Sequence, residues 1–145
     1  MGSGFELTIV AENSNEANSF IDVAVEEITR IEKLISSWDE NSQTSAINKY
    51  AGVKPVKVNT ELFELIERSL AISKLTDGSF DISYASIDKI WKFDGSMTHM
   101  PSAEEIKNSV SKVGFPNIIL NKQNSTVFLS LKGMKIGFGG IGKGY

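Results

Sequence analysis

Apolar positions recur along this chain at two different spacings. Between residues 17 and 36, Ala17, Phe20, Ile21, Ala24, Ile28, Ile31 and Ile35 fall three and four apart, with Glu26, Glu27, Glu32 and Lys33 on the other side. That 3.6-residue period predicts an amphipathic helix with one face turned to a core. Thr60–Leu75 repeats the pattern and predicts a second helix, stopped near Gly78. Ser102 and Glu105 form an S-x-x-E capping box, which opens a third helix ending at Gly114. Elsewhere apolar and polar residues alternate. Residues 5–11 (FELTIVA) predict a strand, and residues 54–58 a short one. Segments 118–121 and 126–131 flank a polar turn at 122–125 and predict a hairpin, with a further strand over 134–138. Between the first helix and the short strand lies a polar stretch, 36–45 (SSWDENSQTS), holding one large aromatic, Trp38. Strand, helices and then a meander predict an α+β fold, an antiparallel sheet with packed helices, rather than a doubly wound parallel sheet. No internal repeat or low-complexity linker interrupts the pattern.

At 145 residues the chain is one domain long, and 41% hydrophobic with 23% charged residues is ordinary for a globular protein. No run of eighteen apolar residues predicts a membrane span, and no signal segment is visible. Without cysteine there is no disulfide framework, thiolate metal site or cysteine nucleophile. The single histidine, His99, supplies no histidine pair for zinc and has no nucleophile elbow near it. In the loop before Pro101 it reads as an exposed residue.

Charge changes the picture along the length. After Glu105 the chain has six lysines and no acid, whereas residues 1–105 carry nine basic and eighteen acidic residues. The lysines are dispersed among Gly, Ile and Phe and include no arginine, so a nucleic-acid groove is not indicated. A site for a small phosphorylated ligand and a solvated basic edge both account for them.

The chain finishes on Gly137-Phe138-Gly139-Gly140-Ile141-Gly142-Lys143-Gly144-Tyr145. Glycines let backbone approach a phosphate closely, and N–H groups at a turn or helix start can bind it. The segment satisfies G-x-G-x-x-G and G-x-x-x-x-G-K, but neither survives its context. Gly144 lacks the magnesium-binding hydroxyl of a nucleotide loop, and an antiparallel hairpin precedes the segment instead of a βαβ unit. A glycine turn packing a helix closely on a sheet, with a solvated lysine, explains it better than either motif. The segment reads as a turn feeding a helix that does not follow, so residues 1–145 are expected to be a single domain that is the N-terminal part of a longer one.

Four blocks in order resemble the FAD:protein FMN transferases of the ApbE family. Met1-Gly2-Ser3-Gly4-Phe5 is similar to the opening M-G-T-x-F. Trp38-Asp39 with Ser42, Ile47 and Asn48 is similar to S-x-Y-D-x-x-S-E-L-x-x-L-N. Thr76-Asp77-Gly78-Ser79-Phe80-Asp81-Ile82, then Ile90-Trp91-Lys92-Phe93, is similar to T-x-G-A-F-D-[IV] and L-W-x-F. Gly139-Gly140-Ile141-Gly142-Lys143-Gly144-Tyr145 is similar to G-G-I-A-K-G-Y. The resemblance implies a T-fold-like architecture and an enzyme that uses FAD and magnesium to move FMN onto a threonine of a target flavoprotein, releasing AMP. It implies that Met1, Trp38, Ser79, Phe80, Asp81 and Lys143 lie on FAD, and that the Gly140 carbonyl is a magnesium ligand, the remaining ligands lying in the family's second half. It also implies a bacterial envelope location, periplasmic or as a tethered lipoprotein. The chain departs from the family at Gly137, where an Asp is usual, at Tyr84-Ala85-Ser86, which replaces a T-V-G-P-like run, and at Gln43-Thr44, which replaces a Glu-Leu pair.

The residues themselves leave alternatives open. Trp38 is suited to stack on a flavin or adenine ring, or to cover the core beneath the first helix. Asp81 is suited to bind ligand or to cap a turn after Phe80. Trp91 and Phe93 read as core. An FAD pyrophosphatase and an inactive flavin-binding or structural module stand beside the transferase as functional readings. A sheet with an open edge further predicts self-association, or pairing with the absent half.

Overall fold

The computed structural model describes residues 4–87, 90–91 and 95–145. The described residues form four α-helices and a small antiparallel sheet, so the α+β class holds. Helix α1 spans Ser14–Ile35 and starts three residues before its periodic pattern, because Asn13 caps it by accepting from the Glu16 N–H at 3.0 Å. The Glu16 carboxylate in turn accepts from the Glu12 N–H. Helix α2, Gln43–Lys49, was not predicted; it begins in the last three residues of the polar stretch 36–45 and runs past it. Its two apolar residues, Ala46 and Ile47, are too few to give a period, and the Ser42 cap accepting from Ser45 N–H starts it instead.

Strand β1, Val56–Lys57, leads to α3, Thr60–Leu75, capped by Asn59 and closed at Thr76 and Gly78. A 3-10 turn over Ile82–Ser86 follows. Helix α4, Ala103–Ser109, opens on the expected capping box but stops before Gly114. There the chain tightens into i→i+3 bonds such as Val113 N–H to the Val110 carbonyl. A second 3-10 turn, Phe115–Asn117, enters the hairpin of β2, Ile118–Asn121, and β3, Thr126–Leu129. The strand order is β1-β3-β2, with Val56 opposite Val127 and Ile118 opposite Leu129. Leu62 and Ile66 of α3, Ile47 of α2, and Val127 and Leu129 of β3 meet in the core together with Ile82, Met134 and Ile136.

Three expectations are corrected. Residues 5–11 form no strand: both outer strands of the sheet are other segments, and without a ladder partner Phe5, Leu7 and Val10 stay exposed. The apolar stripe of α1 is fully covered only at its end, where Ile35 is buried and Ile31 packs on the core; Ala17, Ile21, Ala24 and Ile28 are half-buried, and Phe20 faces solvent, as do Val23 and Val25 outside the stripe. Trp91 is exposed rather than core; Phe93 lies outside the described residues, as does Met1. His99 is exposed, as its loop position implied.

The fourth correction bears on function. Residues 134–138 alternate and are buried like a strand, with Met134 and Ile136 fully enclosed, yet they join no ladder. Side chains replace the ladder. Asn48 Oδ1 accepts from the Ile136 N–H at 2.8 Å, and its Nδ2 donates to the Ile136 carbonyl at 3.1 Å. Ser86 Oγ accepts from Lys135 N–H and donates to the Lys135 carbonyl, both at 2.8 Å. Gly137 N–H then donates to the Ile82 carbonyl at 2.9 Å. The backbone groups of Lys135 and Ile136 and the Gly137 N–H thus keep partners without a neighbouring strand.

Candidate functional site

The loop between α1 and α2 is closed by two serines. Ser36 Oγ accepts from the N–H groups of Trp38 at 3.2 Å and Asp39 at 3.1 Å. Ser42 Oγ donates to the Ser36 carbonyl, and the Ser42 N–H donates to the Asp39 carbonyl at 3.0 Å. Asn41 N–H is taken by Asp39 Oδ1 at 2.9 Å. With its backbone secured, the loop presents Trp38 at 79% exposure. The indole does not cover the core beneath α1.

Opposite the loop, the 134–138 segment runs into the glycine-rich end. Gly142 N–H and Ile141 N–H both turn back to the Phe138 carbonyl, at 2.6 and 3.0 Å. Glycine is required here by close approach. A Cβ on Gly142 would stand 2.9 Å from Ile35 Cδ1 and 3.0 Å from the Phe138 carbonyl oxygen. One on Gly139 would stand 2.6 Å from the Tyr84 hydroxyl. The turn therefore packs directly on the end of α1 and on the 3-10 turn bearing Tyr84.

Between loop and turn opens a cleft of about 1260 Å³, bordered by Trp38, Tyr84, Gly139, Gly142 and three lysines, Lys49, Lys135 and Lys143. Among the described residues, Glu32 is the one carboxylate on its lining. Lys49, Lys135 and Lys143 form no ion pair with the described residues. An aromatic plane and unpaired ammonium groups around exposed glycine backbone suit a ligand with a flat ring and phosphates.

Of the residues singled out by sequence, Trp38 and Lys143 meet on this cleft. Ser79, Phe80 and Asp81 do not border it. Phe80 lies behind the glycine turn, where a Cβ on Gly140 would stand 3.3 Å from its ring edge. Both Asp81 oxygens are engaged: Oδ1 accepts from Ser83 N–H at 2.8 Å and Ser83 Oγ at 2.7 Å, and Oδ2 from Phe115 N–H at 2.8 Å. Ser83 Oγ also accepts from Gly114 N–H at 2.8 Å, so this pair fastens the approach to the hairpin onto the 3-10 turn. Gly140 is exposed. Among the described residues no three His, Asp or Glu side chains gather as a metal site, so they do not assemble a donor set around its carbonyl. Sequence reading met Lys135 only as one of six dispersed lysines and Tyr84 only as a departure from the family pattern, and it passed over Lys49. For Lys135 a signal existed, since alternation with the buried Met134 and Ile136 sends it to the open face.

The end of the chain is tied down as well. Tyr145 Oη donates to Glu61 Oε1 at 2.9 Å, and the Arg30 guanidinium grips Glu61 at 2.6 and 2.9 Å and Glu27 at 2.7 and 2.8 Å. Arg30, and secondarily the Tyr145 hydroxyl, hold Glu61 below the ordinary carboxylate range. Partial burial, and then Glu61, push the Tyr145 phenol up. The cluster is largely exposed, so it orients the end of the chain more than it stabilises the fold.

The sequence matches the model of the ApbE family over residues 1–145. A protein of Klebsiella pneumoniae (strain 342) named FAD:protein FMN transferase is 31% identical over 118 residues, covering 81% of this chain and 37% of that protein. One of the same name from Buchnera aphidicola subsp. Baizongia pistaciae is 33% identical over 115 residues, covering 77% and 34%. The chain thus spans little more than a third of the length of these curated relatives. The crystal structure of the ApbE protein of Thermotoga maritima superposes with a TM-score of 0.77 at 31% identity, over 94% of this chain and 44% of that one. The flavin transferase ApbE of Vibrio cholerae, at 19% identity, shares the fold with a TM-score of 0.72 over 91% of this chain and 42% of its own. With the family pattern matched from the first residue to the last and the fold in agreement, this chain belongs to the ApbE family.

Proposed function

We propose that the protein is a flavin transferase that takes FAD and moves its FMN half onto a threonine of a target flavoprotein, releasing AMP. The observation that carries this reading is the convergence of Trp38 and Lys143 on one cleft. Its volume of about 1260 Å³ leaves room for a ligand of dinucleotide size. Relatives bearing the name FAD:protein FMN transferase support the same chemistry.

In this proposal Trp38 stacks on a ring of FAD, and the ammonium of Lys143 with the glycine backbone neutralises the diphosphate. The acceptor hydroxyl attacks the phosphorus of the FMN half, the diphosphate bond to AMP breaks, and the hydroxyl's proton leaves with the AMP phosphate. Charge built up on the phosphoryl oxygens is what the lysines offset. Magnesium belongs to the proposal through the glycine-rich motif alone, with the Gly140 carbonyl as this chain's contribution. Phe80 enters by backing the glycine turn at Gly140 and Asp81 by fastening the 3-10 turn to the approach to the hairpin, while Ser79 is proposed to reach FAD as in the family pattern. The start of the chain, with Met1, is proposed to reach FAD as in the family pattern.

A target flavoprotein and a bacterial envelope setting, periplasmic or lipoprotein, are part of the same proposal. No described helix is long and apolar enough to cross a membrane. The test is incubation with FAD, magnesium and an acceptor flavoprotein, reading AMP by chromatography and flavin fluorescence on the denatured acceptor. AMP with flavin fixed to the acceptor supports transfer. AMP with free FMN shows a pyrophosphatase, and FAD recovered intact shows an inactive module.

A further inference from the structure

The double brackets on the 134–138 segment set one side chain in a particular place. Lys135 is held at both its N–H and its carbonyl by Ser86, and the next residue is held at both groups by Asn48. Gly137 N–H adds a third fixed point on the Ile82 carbonyl. Met134 and Ile136 on either side are fully buried, so this backbone has no freedom to rotate Lys135 inward. The ammonium that results borders the same cleft as Trp38 and Lys143 and has no ion-pair partner among the described residues.

We propose that Lys135 is a second anion-binding side chain of the cleft, and that Ser86 and Asn48 are the positioning residues that aim it. A diphosphate bridge is then held from two elements: the glycine-rich turn through Lys143, and the bracketed segment through Lys135. This deepens the flavin-transfer reading and rests on it for the identity of the ligand. It also assigns a role to Ser86, which falls in the run where the sequence departs from the family pattern. The ligand class that uses both lysines is a ring-bearing diphosphate, so the contribution of Lys135 scales with phosphate charge and not with ring stacking.

The test compares FAD with riboflavin, which has the ring and no phosphate, by quenching of flavin fluorescence at low and high salt. Lys135→Gln is expected to weaken FAD binding about tenfold at low salt, less at high salt, and to leave riboflavin binding unchanged. Lys135→Arg restores FAD binding. Ser86→Ala gives a smaller loss with the same phosphate selectivity, whereas a purely structural defect weakens both ligands alike. Equal losses for FAD and riboflavin, or no loss for either, overturn the proposal. If the parent chain binds neither flavin, the flavin reading fails, and inorganic pyrophosphate followed by phosphorus NMR decides on Lys135. Line broadening lost in Lys135→Gln upholds its anion-binding role, and no broadening, or broadening unchanged in the variant, overturns it.

Discussion

Replacement of Asp81 separates its structural work from contact with ligand. Its carboxylate accepts three hydrogen bonds of 2.7–2.8 Å, two from Ser83 and one from the Phe115 N–H. Ser83 is fully buried and receives the Gly114 N–H in turn. Bonds to a charged acceptor contribute about 1.5–3 kcal/mol each, and a donor stranded out of water costs about 1–3 kcal/mol. Asp81 is only half-buried, so water recovers part of this, and Asp81→Ala should cost about 3–4 kcal/mol. At roughly 2–4 °C per kcal/mol for a chain this long, the melting temperature should fall by about 10 °C. Asp81→Asn keeps an acceptor on one side but turns an amide N–H₂ toward a donor on the other, and should cost about 1–2 kcal/mol. Urea denaturation followed by circular dichroism reads both. A double-mutant cycle with Ser83→Ala should show coupling of more than about 1 kcal/mol, because the two side chains share one network. If Asp81→Ala unfolds within about 0.5 kcal/mol of the parent, the fastening role is wrong.

Other perturbations probe the cleft and its supports. Trp38→Ala should leave the urea midpoint within about 0.5 kcal/mol of the parent, because the indole is 79% exposed, while it weakens flavin binding. Gly142→Ala should destabilise by about 1–2 kcal/mol through its contacts with Ile35 and the Phe138 carbonyl, and adding Ile35→Val should recover part of that loss. The tether from Tyr145 to Glu61 should hold at neutral pH and loosen at both extremes. Glu61 has a lowered pKa, so its contribution is present above the ordinary carboxylate value and lost as pH falls through the folded one. Tyr145 has a raised pKa, so its contribution is present below about 10 and lost as pH rises through the folded value. Phenolate absorbance, as the difference between the parent and Tyr145→Phe, should titrate at lower pH in Glu61→Gln; an unchanged midpoint refutes the tether. The exposed Phe20, Val23 and Val25 of α1 should drive self-association at high micromolar concentration, and light scattering that shows monomer there counts against it.

Long periodic segments were legible in the sequence because a single face carried the signal. Thr60–Leu75 emerges with the boundaries that its apolar spacing predicts, and the Ser102–Glu105 box caps α4 by the expected pair of bonds. The hairpin follows for the same reason, its two strands alternating on either side of a polar turn. What was not legible depends on partners distant in sequence. Residues 5–11 alternate as a strand does, but a strand exists only where another segment pairs with it. Residues 134–138 carry the same alternation and the burial that goes with it, yet Asn48, eighty-eight positions away from Ile136, supplies the hydrogen bonds in place of a ladder. The same distance hid Lys135. Motif spacing pointed to Trp38 and Lys143, and they share a cleft, because both lie in short segments whose local turns set their direction. It did not show that Asp81 spends its oxygens on Ser83 and Phe115, a contact that needs the hairpin folded back onto the 3-10 turn.

The central claim is that this chain carries the platform on which FAD lies. Isothermal calorimetry of FAD against the chain and against Trp38→Ala, each with and without magnesium, tests it most directly. Micromolar binding to the parent, weakened at least tenfold in Trp38→Ala while the fold is unchanged by circular dichroism, is the predicted result. Absence of heat in either buffer, or binding indifferent to Trp38, would contradict the account.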